Sequence, residues 1–530
     1  MRWRGRLRVH VVGILALTGV LASPGAPAVP ATLGQAPLAV IDPVLVTRLA
    51  TGVSAPAILT WDRTEVDRAE VSRYLSESGL DAHVLEGLSV AFACAGSTQD
   101  VSVLAGAPGA VSVWGDRRLT PALDKSVKTA FNGDPSSIWE GKGLTGKGVS
   151  IGVVDTGVDG THPDLQYGPR VKLNVRVIAG KHDLLGPYSD PCMVDYYSDQ
   201  VTDSELTSGH GTHIAGVAAG DGIVSGGRYT GVAPGADIIA VGVADTVTPQ
   251  AAADQYNQIS LLGAIAGLNY IVSTGLEGCF QRPQGDVAGP YCSEYTPINP
   301  AKVILAGWTQ GDLHDPWHPM SFVIKDLGWY GINVVFPVGN EGPAQSDCSA
   351  AETCHFNPFA VNAIGVAATP RTSRSVLESY SSRGDPIERQ ARDELVRYEP
   401  FLSAPGTGVV SARRPGVAPY VQPPGSILGA GPELKGMGVD RRYTALTGTS
   451  VAAAHVAGTI ALMQEAARKG SGCYLPATDI ANILRSTSTP MDGYESWEVG
   501  AGALNVTAAV NAASGGGGFS PDPWMCPSGA

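Results

Sequence analysis

The chain has 530 residues, more than one ordinary domain, so we expect two or three parts. Apolar residues make up 44% and charged residues 16%, a globular composition that can bury a core. The formal net charge of −13 argues against nucleic acid as a partner, because nucleic-acid binding calls for clustered Lys and Arg.

Residues 1–28 have the pattern of a secretory signal peptide. A basic start (RWRGRLR) precedes the apolar run VHVVGILALTGVLA, and small residues follow in SPGAPA. The apolar run is shorter than the ~20 residues that a membrane span needs, so we expect no membrane anchor. The pattern predicts a secreted, extracellular product.

The eight cysteines fit an oxidising destination, and their spacings suit no zinc site. Connectivity cannot be read from sequence alone, so pairing stays open. The pairs that spacing suggests are Cys279–Cys292, Cys348–Cys354 and Cys473–Cys526, with Cys94 and Cys192 left over.

Residues 29–120 form a first region, in which 29–45 are rich in Ala and Pro and predict a linker. From about 55 to 119 the pattern predicts strand, helix, two strands, helix and strand, with the first helix ending at Gly79. This β-α-β-β-α-β order indicates a small α+β, ferredoxin-like domain without obvious chemistry.

Residues 121–514 form a second region, followed by a Gly- and Pro-rich tail over 515–530. Its β-branched apolar runs, such as KGVSIGVVD, AKVILAG and GINVVFPVGN, are typical of strands buried on both faces of a parallel sheet. Helical stretches such as ISLLGAIAGLNYIVSTG separate them, so we predict a doubly wound α/β domain. Active sites of such sheets lie beyond the carboxyl ends of the strands.

Four short motifs fall at such positions. VVDTG places Asp155 at a strand end, SGHGTHIAGVAAG places His210 at a helix start, VVFPVGNEG places Asn340 after a strand, and LTGTSVAAAHVAG places Ser450 before a helix. A lone Ser there is usually a helix cap. The order Asp, His, Ser differs from that of α/β-hydrolases and matches that of subtilisin, which favours Ser450 as a nucleophile.

From about 138 to 511 the chain resembles the subtilisin-like serine peptidases. Supporting segments include TGVAPGADIIAVGV, ESYSSRG and VGAGALNVTAAV. The resemblance implies a three-layer α/β domain with a mostly parallel sheet, in which Asp155, His210 and Ser450 form the triad and Asn340 the oxyanion hole. Residues 55–119 resemble, more weakly, the inhibitory propeptide of that family, which acts as an intramolecular inhibitor before it is removed.

The same resemblance assigns the walls of the substrate cleft. These walls are Ala306, Gly307 and Trp308 on one strand, and Pro337, Val338 and Gly339 on another. Trp308 stands where the family usually has something smaller, so substrate specificity is open. Val451 and Ala454 replace the usual Met and Pro after the nucleophile, and neither change removes a catalytic atom.

Several other residues have alternative readings. We expect His213 and His455 to be framework residues rather than metal ligands, and the histidines of HDPWH (314–318) to lie on the surface. The acidic run over 190–205 suits a solvated loop, or a calcium site as the family often has. The Pro- and Gly-rich segment 413–441 predicts a surface insertion.

The sequence thus predicts a secreted serine endopeptidase, autoprocessed from a proenzyme, that forms an acyl-enzyme on Ser450. We expect a monomer acting on protein or peptide substrates, with no cofactor for the chemistry and structural calcium as an option. Three alternatives stay open: a non-catalytic binding scaffold that keeps the fold, an ester hydrolase with the same triad, and a processing peptidase dedicated to a narrow substrate.

Overall fold

The computed structural model describes part of the chain, and all structural statements below concern that part. The described ranges are 39–116, 118–121, 126–179, 194–197, 201–205, 207–244, 259–275, 299–309, 318–342, 363–384, 389–391, 394–396, 399–414, 442–515 and residue 526. The predicted signal peptide, most of the tail, and cysteines 192, 279, 292, 348 and 354 lie outside these ranges.

The N-terminal part forms a five-stranded sheet in the order β1-β5-β2-β4-β3. Its elements are β1 (Val40–Ile41), α1 (Pro43–Ala50), β2 (Ala55–Trp61), α2 (Arg68–Ser78), β3 (Ala82–Val84), β4 (Val90–Ala95), α3 (Thr98–Ala105), β5 (Ala110–Gly115) and β6 (Arg118–Pro121). From β2 to β5 the predicted β-α-β-β-α-β order is confirmed. Gly79 ends α2 with a φ of +75°, a left-handed conformation that suits glycine.

The predicted linker over 29–45 is wrong at its C-terminal end. β1 pairs with β5, and α1 begins at Pro43 with the side chain of Asp42 accepting a hydrogen bond from the Val44 backbone N–H. The same carboxylate also accepts a hydrogen bond from Gly115 N. A capping aspartate and an N1 proline are helix-start signals, and the Ala/Pro composition obscured them.

The remaining elements build the large domain. In chain order they are α4 (Val127–Ala130), α5 (Ser136–Trp139), β7 (Ser150–Asp155), β8 (Val171–Ala179), β9 (Val194–Tyr197), α6 (His210–Ala219), β10 (Asp237–Gly242), β11 (Ile259–Ser260), α7 (Leu261–Gly275), β12 (Ala301–Ala306), β13 (Trp308–Thr309), α8 (Pro319–Trp329), β14 (Asn333–Pro337), β15 (Ala363–Pro370), β16 (Arg389–Ala391), β17 (Glu394–Val396), β18 (Leu402–Thr407), β19 (Val409–Ala412), β20 (Tyr443–Leu446), α9 (Thr449–Ser471), α10 (Ala477–Thr487), α11 (Ser496–Val499) and α12 (Val506–Ser514). Two short 3₁₀ turns lie at Pro163–Leu165 and Ile223–Ser225.

The central sheet has the order β18-β15-β14-β12-β7-β10-β8-β9. All neighbouring strands are parallel except β9, which pairs antiparallel with β8. From β7 the chain passes to β8 and returns to β10 beside β7, and it then continues on the other side with β12, β14, β15 and β18. The boundary between β7 and β12 is therefore a topological switch point, where α/β sheets place their sites.

Both faces of this sheet are covered, which explains its continuous apolar strands. Along β12, Val303 and Leu305 belong to the core under α6 and α9, whereas Ile304 and Ala306 belong to the core under α7 and α8. This alternation is the two-residue period of a strand. Helix, sheet and helix layers confirm the predicted three-layer α/β fold.

The N-terminal fold and the large domain belong to one compact unit and share a core. Ile58, Leu88 and Phe92 pack with residues of α7 and α8. At the junction, Asp326 of α8 is 4% exposed and accepts a hydrogen bond from Ser89 N at 2.7 Å, while Gly87 N donates to Asn269 Oδ1 at 3.1 Å. Burial raises the pKa of Asp326, against the lowering effects of the Ser89 bond and of Arg63, its ion-pair partner.

Cys473 and Cys526 form a disulfide, so the suggested link to the tail is confirmed. Cys94 is disulfide-bonded as well. Within the described ranges, none of the helices has the length and apolar character to cross a membrane.

Candidate active site

The carboxyl edge of the sheet brings together the residues that the motifs singled out. Asp155 is the last residue of β7, and Asn340 follows β14 by three residues. His210 begins α6 and Ser450 lies in the first turn of α9. Because parallel strands end at one edge, sequence positions almost 300 residues apart meet there.

Asp155, His210 and Ser450 form a continuous hydrogen-bonded row. His210 Nδ1 lies 2.6 Å from Asp155 Oδ1, and His210 Nε2 lies 3.1 Å from Ser450 Oγ. The three side chains are at most 2% exposed. A base within hydrogen-bond reach of a hydroxyl, itself held by a third group, is the geometry of an activated nucleophile.

The question whether Ser450 is a cap has a structural answer. The N-cap position of α9 is Gly448, and no side-chain hydrogen bond caps this helix. The Ser450 hydroxyl faces His210 instead. Its backbone N–H lies in the first turn of a 23-residue helix, where N–H groups lack intrahelical partners and favour negative charge.

Thr449, the residue before Ser450, orients the side chain of Asn340. Its Oδ1 accepts hydrogen bonds from the backbone N–H of Thr449 at 2.9 Å and from Thr449 Oγ1 at 3.1 Å. The Thr449 hydroxyl is also within hydrogen-bond distance of the Gly339 backbone. Since these contacts occupy the amide oxygen, Nδ2 is the atom left to donate towards the nucleophile.

Gly307 permits the close approach of the cleft strand to the triad. A Cβ at this position would lie 2.5 Å from Asp155 Oδ2 and 3.0 Å from His210 Cε1, which real Cβ atoms do not do. Glycine is therefore required here by contact, although its backbone conformation is ordinary. Ala306, the preceding residue, is fully buried in β12.

The backbone of Trp308 pairs with β6 in the cleft, whereas its side chain lies elsewhere. Its indole is fully buried, donates from Nε1 to the carbonyl of Val154 at 2.9 Å, and packs edge-to-face on Phe336. On the other wall, Pro337 ends β14 and Val338 is buried, while Gly339 has a φ of +106°.

A strand from the N-terminal part lies between the two edges of the cleft. β6 pairs antiparallel with β11 on one side and with β13 on the other. Pro121 is opposite Trp308 and Thr120 is opposite Thr309, so β6 runs towards Gly307 and the triad.

Two further histidines near the triad are buried and neutral. Burial, followed by the charge of His210, lowers the pKa of His213 to about 3. Burial lowers the pKa of His455 to about 4, and its Nδ1 lies 2.7 Å from the Val451 carbonyl oxygen. In the part of the chain that is described, no cluster of three or more His, Cys, Asp or Glu suits a metal ion.

Two predictions are wrong for the residues that the structure describes: the surface position of His318 and the solvation of the acidic run at its end. His318 of HDPWH is fully buried, accepts a hydrogen bond from Met320 N and packs against Trp114 of the N-terminal fold. The acidic run over 190–205 is not a solvated loop at its end, because Glu205 is fully buried. His314 and residues 415–441 of the expected insertion lie outside the described ranges.

Sequence reasoning missed two residues that lie beside the triad, Thr156 and Glu205. Thr156 N donates to Asp155 Oδ1 at 2.7 Å, and its hydroxyl donates to Glu205. The signal for Thr156 was its place directly after Asp155 in VVDTG. Glu205 carried no signal beyond lying five residues before His210.

The sequence model of the subtilase family matches residues 146–503, about two thirds of the chain. This range contains all four motif residues at the carboxyl edge. The chain belongs to the subtilase family. It is accordingly a serine endopeptidase.

Relatives of this subtilase agree with that conclusion. The serine protease AprX of Bacillus subtilis is 26% identical over 398 residues, which cover 75% of this chain and 74% of AprX. An extracellular protease of Xanthomonas campestris is 28% identical over 388 residues, 70% of this chain and 53% of that protein. The crystal structure of fervidolysin from Fervidobacterium pennivorans has a TM-score of 0.56 at 19% identity, covering 87% of this chain and 61% of fervidolysin, and shows the fold.

Proposed function

We propose that this subtilase hydrolyses peptide bonds through an acyl-enzyme on Ser450. The Ser450 oxygen attacks the substrate carbonyl carbon while His210 Nε2 takes its proton and then gives it to the leaving amine. A water molecule, deprotonated by the same nitrogen, releases the acyl group. Asp155 holds the imidazole tautomer and stabilises the imidazolium. The observation that carries this proposal is the row of hydrogen bonds from Asp155 through His210 to Ser450.

Asn340 Nδ2 and the Ser450 backbone N–H would stabilise the oxyanion of the tetrahedral intermediate. Thr449 supports this role because it occupies the amide oxygen of Asn340 with two hydrogen bonds. These steps use only groups of the chain itself and need no cofactor. A structural calcium ion and a monomeric state remain expectations.

The substrate class we infer is an extended polypeptide. β11 and β13 flank the cleft and present backbone groups to a strand between them, a mode in which main-chain hydrogen bonds give affinity. The walls at Ala306–Trp308 and Pro337–Gly339 would then contact side chains of the substrate.

We also infer that the N-terminal fold is an intramolecular inhibitor. β6 occupies the position between β11 and β13 that a substrate strand would need, and the preceding fold packs on α7 and α8. Pro121 pairs with Trp308, and the next residue towards the triad, Gly307, lies so close to Asp155 and His210 that a Cβ there would overlap Asp155 Oδ2. We therefore propose that maturation cuts just after β6, with Ala122–Leu123 as the first candidate bond.

Export is the proposed route to the site of action. Its support is the basic and apolar pattern of residues 1–28, together with a relative named as an extracellular protease. In the proposed order, the signal peptide is removed first and the segment ending near Ala122 second.

The test compares the secreted wild type with its Ser450→Ala variant by intact mass and N-terminal sequencing. We expect the wild type to begin near Leu123 and the variant to begin near residue 29. If both begin at the same residue after the cleft strand, another protease cuts the chain and autoprocessing is wrong. A variant that still begins at Met1 would contradict export.

A further inference from the structure

Glu205 is a fully buried carboxyl directly behind the triad. It is held there by the segment before it, which lies antiparallel to the turn that follows Asp155. Val158 N donates to Ser204 Oγ at 2.9 Å, and Ser204 N donates to the Val158 carbonyl oxygen at 3.1 Å. The mechanism proposed above does not use Glu205.

Thr156 connects Glu205 to both ends of the Asp155–His210 pair. Its hydroxyl donates to Glu205 Oε2 at 2.5 Å and accepts a hydrogen bond from Gly211 N, the residue after His210, at 2.8 Å. Its backbone N–H donates to the Asp155 oxygen that holds His210. One threonine thus fixes the end of β7 against the start of α6.

The other oxygen of Glu205 is also an acceptor. Thr207 donates to Oε1 from its backbone N–H at 3.0 Å and from its hydroxyl at 3.2 Å. Burial raises the pKa of Glu205, the bonds from Thr156 and Thr207 lower it, and the charge of Asp155 raises it further, with a net rise. The charges of Asp155 and Glu205 therefore repel each other.

We propose that Glu205 is a positioning residue of the triad, which orients Asp155 and His210 through Thr156 and whose charge sets the pH at which His210 becomes a base. The Thr156 hydroxyl has one proton, which it donates in the hydrogen bond to Glu205. The Thr156 oxygen must then accept from Gly211, which locks the first turn of α6. Without an acceptor at Glu205 the hydroxyl is free to rotate, and this lock is lost.

The second half of the inference is electrostatic. The hydrogen bonds to Glu205 described above come from donors, Thr156 Oγ1, Thr207 N and Thr207 Oγ1, and they stabilise its ionised form against the burial that raises its pKa. That anion favours the imidazolium form of His210, so the neutral base appears only at a higher pH. The other titratable or charged groups near this pair are Asp155 on β7, His213 on α6, His455 on α9, and the cluster of Asp159, Asp203 and Arg414. His213 and His455 stay neutral above about pH 5, and Arg414 pairs with Asp203 at 2.8 Å. Among these groups, Asp155 is hydrogen-bonded directly to His210 and Glu205 is linked to the start of its helix through Thr156.

Glu205→Gln tests the electrostatic half, because it removes the charge while its single amide oxygen can still accept from Thr156, at the cost of the acceptor for Thr207. We expect the acid limb of kcat/KM to move to lower pH by about one unit. The exposed Glu140→Gln is the matched control and should leave the profile in place. An unmoved acid limb in Glu205→Gln would overturn the inference.

The Thr156 link is tested by a pair of variants. Thr156→Val removes the hydroxyl and should lower kcat about 10-fold or more with KM unchanged, and Thr156→Ser should restore kcat. Equal losses in both, or none in either, would contradict positioning through the hydroxyl. This pair also decides the matter if Glu205→Gln fails to fold.

The inference rests on the proposed peptidase mechanism, so one readout is independent of activity. In the inactive Ser450→Ala background, NMR titration of the His210 imidazole should show a pKa about one unit lower in Glu205→Gln than with Glu205 present. An unchanged His210 pKa rejects the inference whatever the activity. A shifted pKa in a protein whose Ser450 form cuts no peptide supports the inference and rejects the mechanism.

Discussion

The two places where the N-terminal part meets the large domain are built in different ways. In the cleft, β6 meets β11 and β13 through backbone pairing, beside side chains that do chemistry. On the face of the sheet that α7 and α8 cover, the N-terminal fold meets these helices through apolar packing and a buried carboxylate, Asp326. The first contact is made through backbone groups, whereas the second depends on particular side chains. We therefore expect the packing on α7 and α8 to provide most of the affinity for the N-terminal fold, and the contact in the cleft to place the bond that is cut.

The largest expected effect concerns reactivity. His210→Ala removes the base next to Ser450 and should lower kcat by about 10⁶-fold, a magnitude taken from subtilisin itself. The measurement is steady-state hydrolysis of a peptide substrate by wild type and variant after an added protease has removed the N-terminal part of both. If kcat stays within tenfold of the wild type, the cleft is not built for the chemistry we describe.

A smaller loss should follow from the oxyanion side of the cleft. Asn340→Ala should lower kcat about 10²–10³-fold with little change in KM, again the range known for a subtilisin. The exposed Asn511→Ala is the control and should have wild-type kinetics. A rise in KM with unchanged kcat would make Asn340 a binding residue instead.

The second contact is tested by Asp326→Ala in the uncut Ser450→Ala protein. The change leaves Ser89 N and Arg63 without their acceptor, so the free energy of unfolding should fall by about 1–3 kcal/mol in urea titration. The exposed Asp492→Ala should cost nothing measurable. An equally small change in the free energy of unfolding in both variants would contradict the claim that the second contact depends on particular side chains.

The smallest effect concerns the neutral histidines behind the triad. The pKa of His455 is about 4 in the fold, below the 6.5 of an exposed histidine, so the unfolded chain binds the extra proton first. Its contribution to stability is present above about pH 6.5 and falls by about 1.4 kcal/mol per pH unit as the pH drops towards 4. His455→Leu in the Ser450→Ala background should reduce this slope by about one proton between pH 6 and 5. An unchanged slope in urea titrations would mean that His455 is not held neutral.

The meeting of Asp155, His210 and Ser450 at the carboxyl edge could be predicted from sequence because each of the motifs is local. A carboxylate at the end of an apolar strand and a histidine or serine at a helix start are visible in a few residues, and their order along the chain fixes the family. The layered fold follows from the same apolar strands.

What could not be predicted depends on long-range contacts. Glu is rarely buried, so the acidic run before His210 favoured a solvated loop, but contacts of Ser204 with Val158 and of Glu205 with Thr156 hold its end inside the protein. The sequence predicted His318 on the surface, but it is buried because Trp114 of the N-terminal fold packs against it. The pairing of β6 between β11 and β13 likewise joins segments with no common pattern.

The central claim is that Ser450 is a nucleophile activated by His210, and covalent labelling tests it most directly. The processed wild type is treated with a fluorophosphonate, and the modified peptide is located by mass spectrometry. We predict one label on Ser450 of the wild type. In variants whose N-terminal part has been removed by an added protease, we predict no label in Ser450→Ala and a strongly slowed reaction in His210→Ala. A processed protein that resists the reagent, or that carries the label on another residue, would contradict the account.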